Sequence, residues 1–128
     1  MLFRSQISLI HCVPSVFNVF GNEYIEKSLY AGLRYVLMSG EQIIPANLIK
    51  WYSVFSNRIQ LVNLYGPTET TLARTCYFIQ PDDVKKNRLT IGQAITGSRI
   101  IILDKDKNVC EAGISGELYI RKIGRAHV

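Results

Sequence analysis

Three times in this chain an apolar run ends on a polar or glycine residue and gives way to a segment with helical spacing. That βα repetition restricts the fold more than any other feature. The first run, residues 7–11, is followed by Pro14, which suits the first position of a helix running through Val16, Phe17 and Phe20. The second, residues 34–38, stops at Ser39, Gly40 and Glu41, and its helix is expected to start near Pro45 with Leu48, Tyr52 and Phe55 on one face. The third, residues 59–64, is turned by Gly66 and Pro67 into a short helical segment. Nearly continuous apolar content suits strands covered on both faces of a parallel sheet. Ligands of open α/β sheets bind outside the carboxyl ends of the strands. His11, the turn from Ser39 to Glu41, and Leu64 to Gly66 are therefore expected along one rim.

From about Arg74 the pattern changes. Residues 74–79, 98–103 and 116–121 read as strands, Pro81 to Asp83 as a turn, and Asp104 to Asn108 as a solvated charged turn. The expected fold class is α/β: a parallel-sheet βα part over residues 6–85, followed over residues 86–121 by part of a β-barrel-like all-β subdomain.

Composition narrows the class. With 128 residues, 48% hydrophobic and 20% charged, the chain reads as a small globular domain. No run approaches the roughly 18 apolar residues of a membrane span, and no secretory signal opens the chain, so a cytoplasmic setting without membrane contact is expected. Cys12, Cys76 and Cys110 are odd in number and far apart, which signals neither a disulfide framework nor a zinc site. The net charge of +5 comes from scattered basic residues with no aromatic interleaving, so nucleic acid is not an expected partner. Both ends resemble translated sequencing adapter. Residues 123–128 match the frame ATC GGA AGA GCA CAC GTC, residues 1–5 match its reverse complement, and Lys122 stands at the junction. Residues 1–5 and 122–128 are accordingly set aside as foreign. Without Arg4 and Arg125 the charge falls by two, from +5 to +3.

The chemistry concentrates in Asn63-Leu64-Tyr65-Gly66-Pro67-Thr68-Glu69-Thr70-Thr71. Tyr65 offers a flat face on which a purine can stack. Gly66 permits close backbone approach and Pro67 presets the following turn. Backbone N–H groups at a helix start, with the hydroxyls of Thr68, Thr70 and Thr71, suit phosphate oxygens. Glu69 supplies a carboxylate, and Mg²⁺ is commonly held by only one or two carboxylates plus substrate phosphates. The same residue types also suit a plain strand-to-helix turn with a proline start and a Thr/Glu cap. The motif by itself leaves both readings open.

The segment resembles the Asn-x-Tyr-Gly-Pro-Thr-Glu signature of the adenylation domains of nonribosomal peptide synthetases, within the adenylate-forming enzymes. Further matches follow in order. Leu33 to Glu41 is similar to the family's preceding strand and Gly-Glu loop, Ile91-Gly92-Gln93-Ala94 to its Ile-Gly-x-Pro segment, Ile101 to Asp104 to its Ile-Leu-Asp segment, and Gly113 to Ile120 to its Gly-Glu-Leu-x-Ile motif. The resemblance implies ATP-dependent activation of an amino acid to an aminoacyl-AMP, with Mg²⁺. The product then passes to the phosphopantetheine thiol of a peptidyl carrier domain, alongside other synthetase domains. By position, Tyr65 would stack on adenine, Asn63 and the Gly40-Glu41 loop would border the base with Gly66 beside it, Thr68 would contact phosphate, and Glu69 would bind the metal, with Thr68 and Glu69 the catalytic pair. The substrate selectors would be His11, Leu37, Ser39, Leu64, Leu72 and Ala73. His11 and Ser39 beside leucines resemble the family's serine-selecting pattern, although Ala73 stands where that pattern carries an acid.

The chain also departs from the family. Gln93 replaces its usual arginine, Ala94 its proline and Arg121 a glycine, and several of its catalytic segments have no counterpart here. The 128 residues alone are therefore expected to be catalytically silent and poorly soluble. Two other functions fit the same residues: an acyl-CoA or aryl-acid ligase using the same adenylation chemistry, or a non-catalytic nucleotide-binding module.

Overall fold

The computed structural model describes residues 6–67 and 73–123. Strands β1 (Leu9–Cys12), β2 (Tyr35–Met38), β3 (Gln60–Tyr65), β4 (Thr75–Phe78) and β5 (Gln93–Ala94) form one sheet in that order. The first three are parallel and the last two antiparallel. Strands β6 (Ser98–Leu103) and β7 (Glu117–Lys122) make a separate antiparallel pair.

Helix α1 (Pro14–Glu23) begins as the sequence predicts, with Pro14 in the first turn after an extended Val13. Phe17 is fully buried, whereas Val16 and Val19 stay about half exposed. The Pro45 segment starts as a 3₁₀ turn (Pro45–Leu48) and only then becomes helix α2 (Ile49–Phe55), which ends at Ser56 with φ 48°. Leu48, Tyr52 and Phe55 face inward as their spacing predicts. The centre of the core is a residue that periodicity did not single out, Trp51. Its ring centroid lies 5.2 Å from Phe17, 5.3 Å from Tyr30 and 4.4 Å from Phe55. Removing such an aromatic from a closed cluster costs roughly 3–5 kcal/mol. Burial pushes the Tyr30 phenol up to about 12, and its hydroxyl donates to the carbonyls of Phe20 and Tyr24. The Tyr52 hydroxyl donates to the Ile79 carbonyl at 2.9 Å, tying α2 to the end of β4.

Two expectations are corrected. Phe17, Tyr30, Leu48, Trp51 and Val84, one from each described helical segment, all join a single cluster with Val36, Met38, Leu61 and Ile79. The described helices thus cover one face of the sheet, not both. The alternate strand residues point the other way, and Leu9, Tyr35 and Phe78 remain 46%, 37% and 51% exposed. The second correction concerns the fold class: among the described residues no sheet closes into a barrel. β4 hydrogen-bonds onto the β3 edge and β5 onto β4, extending the first sheet and making it mixed. Only β6 and β7 are left, and two strands cannot curl round until the last pairs with the first. Among the described residues no helix is long and apolar enough to cross a membrane.

Candidate functional site

Because β1, β2 and β3 are parallel, their carboxyl ends share one rim. The register sets His11 beside Leu37 and Met38 beside Asn63. At this rim the chain leaves β2 through Gly40, whose φ of 88° lies in the left-handed region that glycine enters without a Cβ penalty. That turn delivers Glu41 to the first turn of α1. One carboxylate oxygen accepts from the Ser15 N–H at 2.9 Å and the other from the Ser15 hydroxyl at 3.0 Å. An anion at a helix N-terminus also meets the favourable end of the helix dipole. Glu41 therefore locks the loop it sits in.

A cavity of about 600 Å³ opens between the ends of β2 and β3 and the segment leading into β5. Gly40, Glu41, Asn63, Leu64, Tyr65 and Gly66 line it, together with Arg88, Leu89 and Ile91. The volume suits a bound small molecule of nucleotide size. Tyr65 is 38% exposed, so part of its ring is available for stacking. The Asn63 amide donates from Nδ2 to the Thr90 carbonyl at 3.0 Å. Its Oδ1 has no protein partner among the described residues, which leaves an acceptor on a side chain that lines the cavity.

The candidate selectors divide. His11 Nε2 and Ser39 Oγ are 2.8 Å apart and form a polar pair at the ends of β1 and β2, with Leu37 half-buried beside them. None of these three lines the nucleotide-sized cavity, whereas Leu64 does. Ala73 is half-buried just before β4, next to Arg74, whose N–H donates to the Tyr65 carbonyl at 2.7 Å. Thr68, Glu69 and Leu72 lie outside the described residues.

Residue types did not point to Arg88, Leu89 and Ile91 as cavity lining. Arg88 follows Lys85 and Lys86 in a run that reads as a solvated basic turn, and only tertiary contacts separate the three. Lys85 pairs with Asp82 at 2.8 Å and Lys86 with Asp83 at 2.6 Å. Asp83 is buried, and its Oδ2 also accepts from the Gln80 N–H and the Tyr77 hydroxyl, each at 2.8 Å. Burial raises the Asp83 pKa, but the Lys86 ammonium and these donors outweigh it and hold the carboxyl below the usual range. This staple fixes the start of the segment that carries Arg88, Leu89 and Ile91. Gly92 fixes its end: φ is 79°, and a Cβ there would stand 1.9 Å from the Cys76 carbonyl oxygen.

Comparison with known proteins agrees with this geometry. Malpibaldin synthetase of Mortierella alpina is 33% identical over 95% of the chain, which spans 2% of that protein. Zwittermicin A synthase ZmaJ of Bacillus cereus is 31% identical over 95% of the chain, which spans 24% of it. The structure of PA1221, an NRPS protein containing adenylation and PCP domains, superposes with a TM-score of 0.78 at 27% identity, over 94% of this chain and 24% of that one. The chain thus spans a small part of the relatives it matches. The model of the family described as AMP-binding enzyme matches residues 1–127, and the chain belongs to that family.

Proposed function

We propose that this chain forms one wall of the active site of an enzyme that activates an amino acid with ATP and hands it to a carrier-domain phosphopantetheine thiol. The observation that carries the reading is the cavity bordered by Gly40, Glu41, Asn63 and Tyr65, at the strand ends where an open α/β sheet binds its ligand. In the reaction a carboxylate oxygen of the amino acid attacks the α-phosphorus of ATP, the bond from that phosphorus to the bridging oxygen breaks, and pyrophosphate leaves. The carrier thiol then attacks the acyl carbon and AMP departs.

The protein's part in this is positioning and charge stabilisation. Tyr65 stacks on the adenine. Asn63, its amide held by Thr90, presents Oδ1 to the exocyclic amine of adenine, where guanine would set an opposing carbonyl oxygen. The Glu41 to Ser15 contacts keep the Gly40 loop against the base. Thr68 contacts phosphate and Glu69 holds Mg²⁺, which when bound neutralises charge on the phosphate oxygens. His11, Leu37, Ser39, Leu64, Leu72 and Ala73 select the amino-acid side chain. The hydrogen-bonded His11 and Ser39 beside leucines favour a small or medium group able to hydrogen-bond.

The test is ATP–pyrophosphate exchange in the complete adenylation domain that carries these residues. Glu69→Gln is expected to lower exchange by roughly two to three orders of magnitude without changing the melting temperature. Exchange at the wild-type rate in that variant would refute the assignment of Glu69 and weaken the whole reading.

A further inference from the structure

We propose that Arg88 is a base-reading residue, donating a hydrogen bond to the adenine ring nitrogen next to the exocyclic amine that Asn63 recognises. The inference rests on the nucleotide reading of the cavity and adds a residue that the sequence motifs do not contain. Three observations lead to it.

Arg88 lines the same cavity as Asn63 and Tyr65. Of the basic side chains at 85, 86 and 88, it is the one with no acidic partner among the described residues, since Lys85 and Lys86 are held by Asp82 and Asp83. Its backbone is also placed: the Asp83 staple fixes the chain upstream, Leu89 packs against the core, and the Thr90 carbonyl accepts from the Asn63 amide at 3.0 Å. Arg88 is thus two residues from the group that orients Asn63.

The chemistry is complementary. Asn63 Oδ1 is an acceptor, and the arginine fork carries only donors. An acceptor beside a donor matches the edge of adenine, where the N6 amine donates and the adjacent N1 or N7 accepts.

Equilibrium dialysis with the complete adenylation domain separates the outcomes, using ATP, adenosine, 1-deaza-ATP and 7-deaza-ATP as probes. Arg88→Ala is expected to weaken ATP and adenosine alike, by about tenfold, the effect of losing one charged donor. Wild-type protein should discriminate against one of the two deaza analogues by a similar factor, and the variant should lose that discrimination. Arg88→Lys should restore little, because a point charge does not reproduce the fork. Loss confined to ATP, with adenosine unaffected and lysine restoring binding, would make Arg88 a phosphate contact and overturn the proposal. So would unchanged binding in Arg88→Ala. Wild-type protein that binds none of the probes would reject the nucleotide reading itself, and this inference with it.

Discussion

His11 Nε2 lies 2.8 Å from Ser39 Oγ although 28 positions separate them in the chain, because β1 and β2 run parallel in a register that ends both strands at one rim. Imidazole and hydroxyl can each donate or accept, so the pair can adapt to a substrate hydroxyl or amine. Ser39→Ala removes one partner at a solvent-accessible site, and water can replace it. Stability should change by no more than about 0.5 kcal/mol. If the pair reads the amino acid, kcat/KM for the preferred substrate should fall about tenfold while apolar substrates of similar size lose less. Pyrophosphate exchange across an amino-acid panel, with a parallel thermal melt, checks both. An unchanged ranking would remove the pair from the selector set.

Glu41 closes its loop onto α1 through two bonds to one residue, Ser15. Glu41→Ala should cost about 1 kcal/mol, from a lost N-terminal anion and two exposed hydrogen bonds. The larger effect is expected on ATP binding, as a raised KM with a smaller change in kcat, because Gly40 and Glu41 border the cavity. Steady-state kinetics at varied ATP decides this. A kcat loss with unchanged KM would assign the loop another role.

Asp83 predicts an acid-sensitive contribution. Its folded pKa lies below the ordinary value, so its bonds to Lys86, Gln80 and Tyr77 stabilise the fold fully above the unfolded pKa of about 4 and are lost as pH falls through the lowered folded value. Asp83→Asn should destabilise by roughly 1–2 kcal/mol at neutral pH, since the charge-assisted bonds from Lys86, Gln80 and Tyr77 are weakened while the exposed Lys86 ammonium turns to water. The gap between variant and wild type should narrow below about pH 4. Thermal melts from about pH 7 to about pH 3 measure it; a gap that widens in acid contradicts the assignment.

Gly92 admits no side chain. Alanine there would combine a strained φ of 79° with a Cβ 1.9 Å from the Cys76 carbonyl oxygen, which is backbone and cannot swing aside. Gly92→Ala is expected to cost more than about 3 kcal/mol and to disturb the pairing of β5 with β4. Retention of the wild-type melting temperature would show that the two strands separate freely.

Much of this was legible in residue order. Apolar runs located β1 to β4, β6 and β7 to within two residues, β6 at its observed bounds, Ser98–Leu103, whereas the two-residue β5 was not read as a strand. Pro14 and Pro45 marked helical starts, because proline presets φ for a first turn. The motif around Tyr65 and the Gly40 turn marked part of the cavity lining before any contact was known. Trp51 was not legible as the core centre, nor Arg88 as a cavity wall. A side chain's neighbours across a sheet are set by register and packing, which local periodicity does not encode.

Local chemistry in the sequence determined the βα order, the cavity-bordering turn and the family, because strand runs, proline and glycine act within a few residues of themselves. Tertiary structure alone decided which face the helices cover and that β4 and β5 join the first sheet instead of beginning a barrel. It also paired His11 with Ser39, and it held Lys85 and Lys86 while leaving Arg88 without an acidic partner among the described residues. These outcomes depend on hydrogen bonds and burial between distant segments, and such contacts exist only once the chain has closed on itself.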